Sequence, residues 1–418
     1  MPSDRFGAEL RRRRAMANMS LTQLALRVHY DKGHLSKVER GVRPASTALA
    51  RTCDTVLDAK GALAALVPGP GSQWSPGAPV TPTPLTGARS LQDVLDLFAD
   101  AGDELLGGIG GPSMRAAAAD PRTLDRFRAM FDMLRRHGRQ SPPGLVFQTT
   151  ITQARLLCRL GGVAPAPARA RLLALAAYYL EYSGWMAQEA GDEERAVRLT
   201  TAAVLLAARA ETPQLAPYAL VRYSELALYR GEARQAVALA ERAGSDPAAT
   251  TRVRVLAAQR AAQGYALTGA AGECEAALDQ ATHLLERDAP AANGEIWLGS
   301  AAAGPADNLV RGWCYYDLGQ PERAAELLDR ALAGIPAEAV RARALYGVRL
   351  SLARASAGDV EGACGLADDA LNGARLVGSA TVGHQLRQLE KVLTRWRRRS
   401  CVRHVQARMI DLVTPGAP

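Results

Sequence analysis

Several residue types are scarce in this 418-residue chain, and each scarcity argues against a class of protein. Aromatic residues make up only 5%, with Phe and Trp at 5 each, while alanine is roughly a fifth of all residues. Such a balance disfavours any sizeable β-sheet and favours helices, because Ala, Leu, Arg and Glu lose little rotamer freedom in a helix. Lysine occurs only at positions 32, 37, 60 and 391, never followed by Ser or Thr, so the phosphate-cradling G-x-x-x-x-G-K-[ST] loop is missing. The six histidines form no H-E-x-x-H, G-x-S-x-G does not occur, and Gly107 to Gly111 (GGIGG) does not complete G-x-G-x-x-G. With no visible set of nucleophile, base or metal ligands, the expectation is a protein without catalytic residues, metal or cofactor, and not an enzyme. The six cysteines include no C-x-x-C pair, which suggests neither a disulfide framework nor a zinc site. No uncharged apolar run reaches about 18 residues, and Met1 to Arg14 is charged where a signal peptide needs an apolar core. A cytoplasmic protein with no membrane contact is expected.

What is present is positive charge, and its distribution is uneven. The net formal charge is +9. Residues 1–66 carry 12 basic and 6 acidic side chains, residues 379–418 carry 8 and 2, and the remainder carries 31 and 34. Both ends therefore look like polyanion-binding surfaces attached to a slightly acidic body. Between the first basic region and that body, Val67 to Ser90 holds six prolines and four glycines, a composition suited to an extended tether and to no regular element. The organisation expected is residues 1–66, a compact helical domain; residues 67–90, a linker; and residues 91–418, a second helical domain.

Within the first domain, Ser20 to Pro44 reads SLTQLALRVHYDKGHLSKVERGVRP. Ser20 and Gln23 have the spacing of a capping box that opens one helix, and Asp31 can cap a second that ends at Gly41. Leu24, Ala25, Val28, Leu35 and Val38 form the apolar face on which the two helices would pack. Leu24-Ala25, the spacing to Leu35-Ser36-Lys37, the Glu39-Arg40-Gly41 ending and Arg43-Pro44-Ala45-Ser46 resemble the helix-turn-helix domain of the lambda-repressor-like (XRE) family. Helices over 6–17, 47–57 and 61–66 would bring the total to five. His29 stands where that family commonly has glycine. By resemblance, Lys32, Gly33, His34 and Lys37 face base edges, and Ser36, Arg40 and Arg43 suit phosphate contacts along with the Arg11 to Arg14 run. Glu39 reads as structural, paired with Arg11.

The second domain is internally repetitive. Gly191, Gly231, Gly269, Gly319 and Gly358 each interrupt two helical runs, at spacings of 40, 38, 50 and 39 residues. Five residues after each stands Ala196, Ala236, Cys274, Ala324 and Ala363; twelve after, an alanine every time; seven before, Gly184, Ser224, Ala262, Gly312 and Ser351. These spacings describe helical hairpins with small residues at close crossings, and they resemble the tetratricopeptide repeat most clearly over 311–336. Two earlier helices, over 124–137 and 145–160, would form a capping pair. The fold class expected is all-α: a five-helix helix-turn-helix domain tethered to a tetratricopeptide-like α-solenoid.

A solenoid presents a concave face, and the position six before each turn glycine holds Trp185, Glu225, Gln263, Trp313 and Leu352. With Tyr178, Glu181, Gln188, Tyr218, Arg222, Arg260 and Tyr316 nearby on the same helix faces, a mixed aromatic and polar ligand groove is expected. The run Arg395 to Arg399 reads as the continuation of a helix from about Thr381, either simply solvated or touching DNA phosphate or an acidic partner. The resemblance implies a sequence-specific transcriptional regulator that binds double-stranded DNA as a homodimer. Its repeat domain would sense a peptide, small molecule or protein, and the Arg- and Ala-rich, Lys-poor composition suits a GC-rich actinobacterial genome. The alternative is an interaction scaffold that sequesters a protein partner and uses its first domain for assembly.

Overall fold

The computed structural model describes residues 2–67, 94, 111–287, 296, 298, 299 and 306–413. Nearly all of the Pro/Gly-rich stretch lies outside these. Among the described residues the chain is helical and contains no strand. The first domain comprises α1 (Pro2–Met16), α2 (Leu21–Arg27), α3 (Lys32–Glu39) and α4 (Thr47–Val56). The fifth helix expected over 61–66 is only a 3-10 turn, Ala64–Leu66.

The second domain opens with α5 (Pro112–Ala119), absent from the sequence reading, then α6 (Pro121–His137) and α7 (Pro143–Val163), close to the expected capping pair. Six hairpin-like pairs follow. They are α8 (Ala166–Glu189) with α9 (Glu193–Arg209), α10 (Leu215–Arg230) with α11 (Ala233–Ser245), and α12 (Thr251–Thr268) with α13 (Ala271–Glu286). After them come α14 (Ala306–Asp317) with α15 (Pro321–Ala333), α16 (Val340–Ser356) with α17 (Val360–Val377), and α18 (Ala380–Leu393) with α19 (Ser400–Val413). Successive helices pack in order, and the first helices of neighbouring pairs also touch one another from α10 to α18.

The repeated small residues explain this regularity. The five turn glycines all have left-handed backbones, φ 77 to 89, a region costly for any residue with a Cβ. Seven residues before the turn, Ser224 and Ser351 donate to the carbonyls of Ala236 and Ala363, both at 2.7 Å. At the equivalent Gly184 and Gly312, an added Cβ would stand 3.2 and 3.4 Å from the carbonyls of Ala196 and Ala324. One residue position thus sits on the same carbonyl in four pairs, and it is filled by a glycine or a hydrogen-bonding serine in each of them, with the similarly small Ala262 in the pair turned by Gly269.

The stack turns until its last pairs meet its first. At the end of α8, buried Glu189 accepts from Arg341 Nη1 (2.8 Å), Ser379 Oγ (2.5 Å) and Thr381 Oγ1 (2.9 Å), residues from α16 and the start of α18. Arg341 also donates to the carbonyls of Gly138 and Ser141 after α6. The superhelix is therefore closed, and its concave face becomes the wall of a lumen. Removing Glu189 would leave Arg341 buried without its anion, which typically costs about 3–5 kcal/mol. Glu189→Ala is expected to lose that much in urea denaturation and to expand the particle in small-angle scattering. Glu194→Ala, which breaks only an exposed pair with Arg198, is expected to change stability by less than about 0.5 kcal/mol.

Candidate functional site

The helix-turn-helix is built as its residues dictate. Ser20 Oγ accepts from the Gln23 amide (3.2 Å) while Gln23 Oε1 accepts from the Ser20 amide (2.8 Å), closing the capping box. Asp31 Oδ1 accepts from the His34 amide at 3.0 Å and opens α3. His29 carries φ 52 in the turn and Gly41 φ 71 after α3. Leu24, Ala25, Val28, Leu35 and Val38 are all buried, with Phe6 and Leu10 of α1 and Leu49 of α4. At Gly7 a Cβ would lie 2.5 Å from the Val38 carbonyl, so α1 crosses the end of α3 at backbone contact.

Glu39 is structural, but its main partner is not Arg11. Arg14 donates to it from Nε (2.6 Å) and Nη2 (3.0 Å), while Arg11 stands at 3.7 Å. Arg12 and Arg13 both bond Glu9, so most of the Arg11 to Arg14 run is occupied inside its own domain. Of the expected DNA-facing residues, Lys32, Gly33, Lys37, Arg40 and Arg43 are exposed, and His34 and Ser36 are half-buried.

These residues do not face open solvent alike. The domain docks on the edge of the solenoid formed by the turns between paired helices. Arg51 Nη1 of α4 donates to Asp317 at 2.7 Å, Thr55 Oγ1 to the Leu318 carbonyl at 2.6 Å, and His29 Nε2 meets Glu322 at 3.1 Å. Turn glycines serve a second purpose here. A Cβ on Gly319 would stand 2.5 Å from the Arg51 carbonyl, and one on Gly269 2.9 Å from Gly61 Cα. Gly33, His34, Lys37 and Arg43 consequently line a chamber of about 1290 Å³ whose far walls belong to the solenoid, whereas Lys32, Ser36 and Arg40 lie outside it.

The basic run 395–399 is one of those walls. It does not continue a helix, because α18 ends at Leu393 and a 3-10 turn, Thr394–Trp396, leads into α19. Arg395 lies over the Tyr30 ring at 3.7 Å, and Arg399 pairs with Glu361. Burial pushes the His34 imidazole below its ordinary value, and Arg43 and Arg395 add to the effect.

The expected single ligand groove divides in two. Tyr178, Glu181, Trp185, Tyr218, Arg222, Glu225 and Arg260 line a lumen cavity of about 230 Å³. Gln263, Trp313 and Tyr316 line the larger chamber instead. Gln188 is buried and accepts from Arg222 Nη2 at 2.5 Å. Arg222 also pairs with Glu225 (2.5 Å) and Glu181 (3.6 Å). Burial raises the Glu181 carboxyl. It acts the same way on Glu225, but there Arg222 and Arg260 prevail and hold the carboxyl below its ordinary value. Trp185 packs against Tyr182 at 5.4 Å, and Arg341 lies over it.

Sequence reasoning missed Arg51, Asp317, Arg341, Arg349 and His384. Arg349 was findable, being three residues before Leu352 and so on the same face of α16. His384 was not, since no turn glycine of the repeated kind follows α18.

His384 lines the large chamber, and burial, with Arg387, Arg349 and Lys391 nearby, pushes it down to about 4. The unfolded chain takes up this proton near pH 6.5 and the folded chain resists it until about pH 4. Urea stability is therefore expected to fall as pH drops through that window, and His384→Gln to flatten the fall. No helix among the described residues is long and apolar enough to cross a membrane. No curated protein matches the chain. Residues 5–67 match the model of a family described as a helix-turn-helix domain, the segment that forms α1 to α4 and the 3-10 turn.

Proposed function

We propose that this protein is a sequence-specific transcriptional regulator in which a tetratricopeptide-like solenoid controls access to the DNA-reading helix. The observation that carries this reading is the placement of Gly33, His34, Lys37 and Arg43 on the chamber between the two domains. A recognition helix must enter a major groove about 12 Å wide. With the solenoid across the chamber, that side of α3 meets a duplex only after the domain swings away, which a tether of the kind that the Pro- and Gly-rich composition of residues 67–90 suggests would permit. The docked arrangement is then the state of low DNA affinity. An effector that binds the solenoid shifts the balance by the difference in its affinity for the docked and released states.

In the released state, Lys37 and Lys32 donate to guanine edges while Ser36, Arg40 and Arg43 hold phosphates. Two copies reading paired half-sites about 34–36 Å apart make the working form a homodimer. The recurrence of left-handed glycines and of a Ser or Gly on one carbonyl supports the tetratricopeptide reading.

Binding to DNA from upstream of the protein's own gene, compared with random DNA over a salt series, tests the reading. Preference for the former is expected, and Lys37→Ala should lower the specific affinity by about 1–3 kcal/mol while leaving random binding nearly unchanged. Equal affinities would leave the chain as an interaction scaffold. The docking idea has its own test. Arg51→Ala removes the pair with Asp317 and should raise the specific affinity several-fold, of order the population it frees; an unchanged or lower affinity counts against occlusion.

A further inference from the structure

The large chamber contains a buried cation with no assigned anion. Arg349, on the lumen face of α16, is 4% exposed, and its Nε, Nη1 and Nη2 all lack a hydrogen-bond acceptor among the described residues. Its guanidinium lies over the Trp313 ring. Nearby Asp317 bonds Arg51 at 2.7 Å and is close enough to act on Arg349 electrostatically, but it accepts no hydrogen bond from it. Gln263, also lining the chamber and 1% exposed, receives Arg260 on Oε1 and leaves its Nε2 unpartnered. The unmatched groups of these two side chains are therefore all donors. A guanidinium buried with every N–H unmatched is costly, and a carboxylate or phosphate oxygen is the acceptor that offsets the cost best.

The walls around it are aromatic. Trp313 stands 6.3 Å from Tyr229, and Tyr229 meets the His384 ring edge-on at 5.8 Å. We propose that Arg349 and Gln263 form the anion-binding end of an effector site in the chamber, and that its ligand is a small organic acid whose planar ring lies against the wall formed by Trp313, Tyr229 and His384. This rests on reading the solenoid as a sensor. It differs from the expected groove in placing the ligand beside the DNA-reading domain and outside the 230 Å³ cavity around Trp185, with Tyr229 lining both.

Calorimetry with 2-naphthoate as the probe acid, and 2-naphthalenemethanol as its uncharged counterpart, tests the site on the full chain. The acid is expected to bind, the alcohol to bind at least about tenfold more weakly, and Arg349→Met to lose at least about tenfold for the acid alone. Arg135 lines the 230 Å³ cavity and not the chamber, so Arg135→Met should leave both affinities unchanged. Without any ligand, Arg349→Met should melt at the same temperature as the parent protein or higher, because a buried guanidinium with no hydrogen-bond acceptor is gone. Equal binding of acid and alcohol, retained acid binding in Arg349→Met, or a markedly lowered melting temperature of that variant would each overturn the proposal. Acid binding by a protein that shows no DNA preference would keep the site and remove the regulator reading. DNA preference without acid binding would do the reverse.

Discussion

Glu189 receives three side-chain donors from the far end of the chain, and the lumen depends on that convergence. A stack of helical hairpins is ordinarily an open superhelix in which each unit touches only its neighbours. Here a carboxylate at the end of α8 ties the first pair to α16 and α18, while Arg341 carries the tie on to the carbonyls after α6. A buried charge paired in this way adds little net stability, but it is expensive to break. It fixes one curvature, so residues on the first helix of each pair face one another across a confined space. Glutamate, arginine and tryptophan on a concave face become a desolvated network in which Glu181 and Glu225 are shifted in opposite directions.

The helix-turn-helix domain uses the same repeats from outside. Left-handed glycines needed to reverse the chain also allow backbone contact with α4 and with Gly61 after it, so Gly319 and Gly269 turn their hairpins and form the docking edge at once. Asp317, at the end of α14, joins the two uses. It holds Arg51 of the docked domain directly, and Arg349 of the lumen is close enough to draw its carboxyl down against the burial that raises it. A charge change in the lumen and the position of the DNA-reading domain therefore share one carboxylate.

Much of this was legible in the sequence, for physical reasons specific to each part. Ser20, Gln23, Asp31 and Gly41 act through local hydrogen bonds and backbone conformation, so spacing alone placed them, and the repeat glycines and their small neighbours followed from a fixed offset. What spacing does not encode is which distant elements meet. The closure at Glu189 and the docking through Arg51 and Thr55 join residues more than 150 positions apart, so the chain read locally showed an open groove and a solvated basic end. Arg14 displaced Arg11 at Glu39 because the helical phase of α1 points Arg14 inward, a difference of one residue turn that composition cannot resolve. Tryptophan at one repeat position did mark lumen-facing residues, but the curvature sends Trp185 and Trp313 into separate cavities.

The central claim is that docking and DNA binding exclude each other. Spin labels on Leu26→Cys in α2 and Ile410→Cys in α19, both at exposed positions, in a Cys401→Ser background, would report the separation of the two domains by pulsed electron resonance. A single narrow distance distribution is expected for the free protein, shifting to longer and broader distances when genomic DNA retained by the protein is added to saturation. The same narrow distribution with and without saturating DNA would contradict the account.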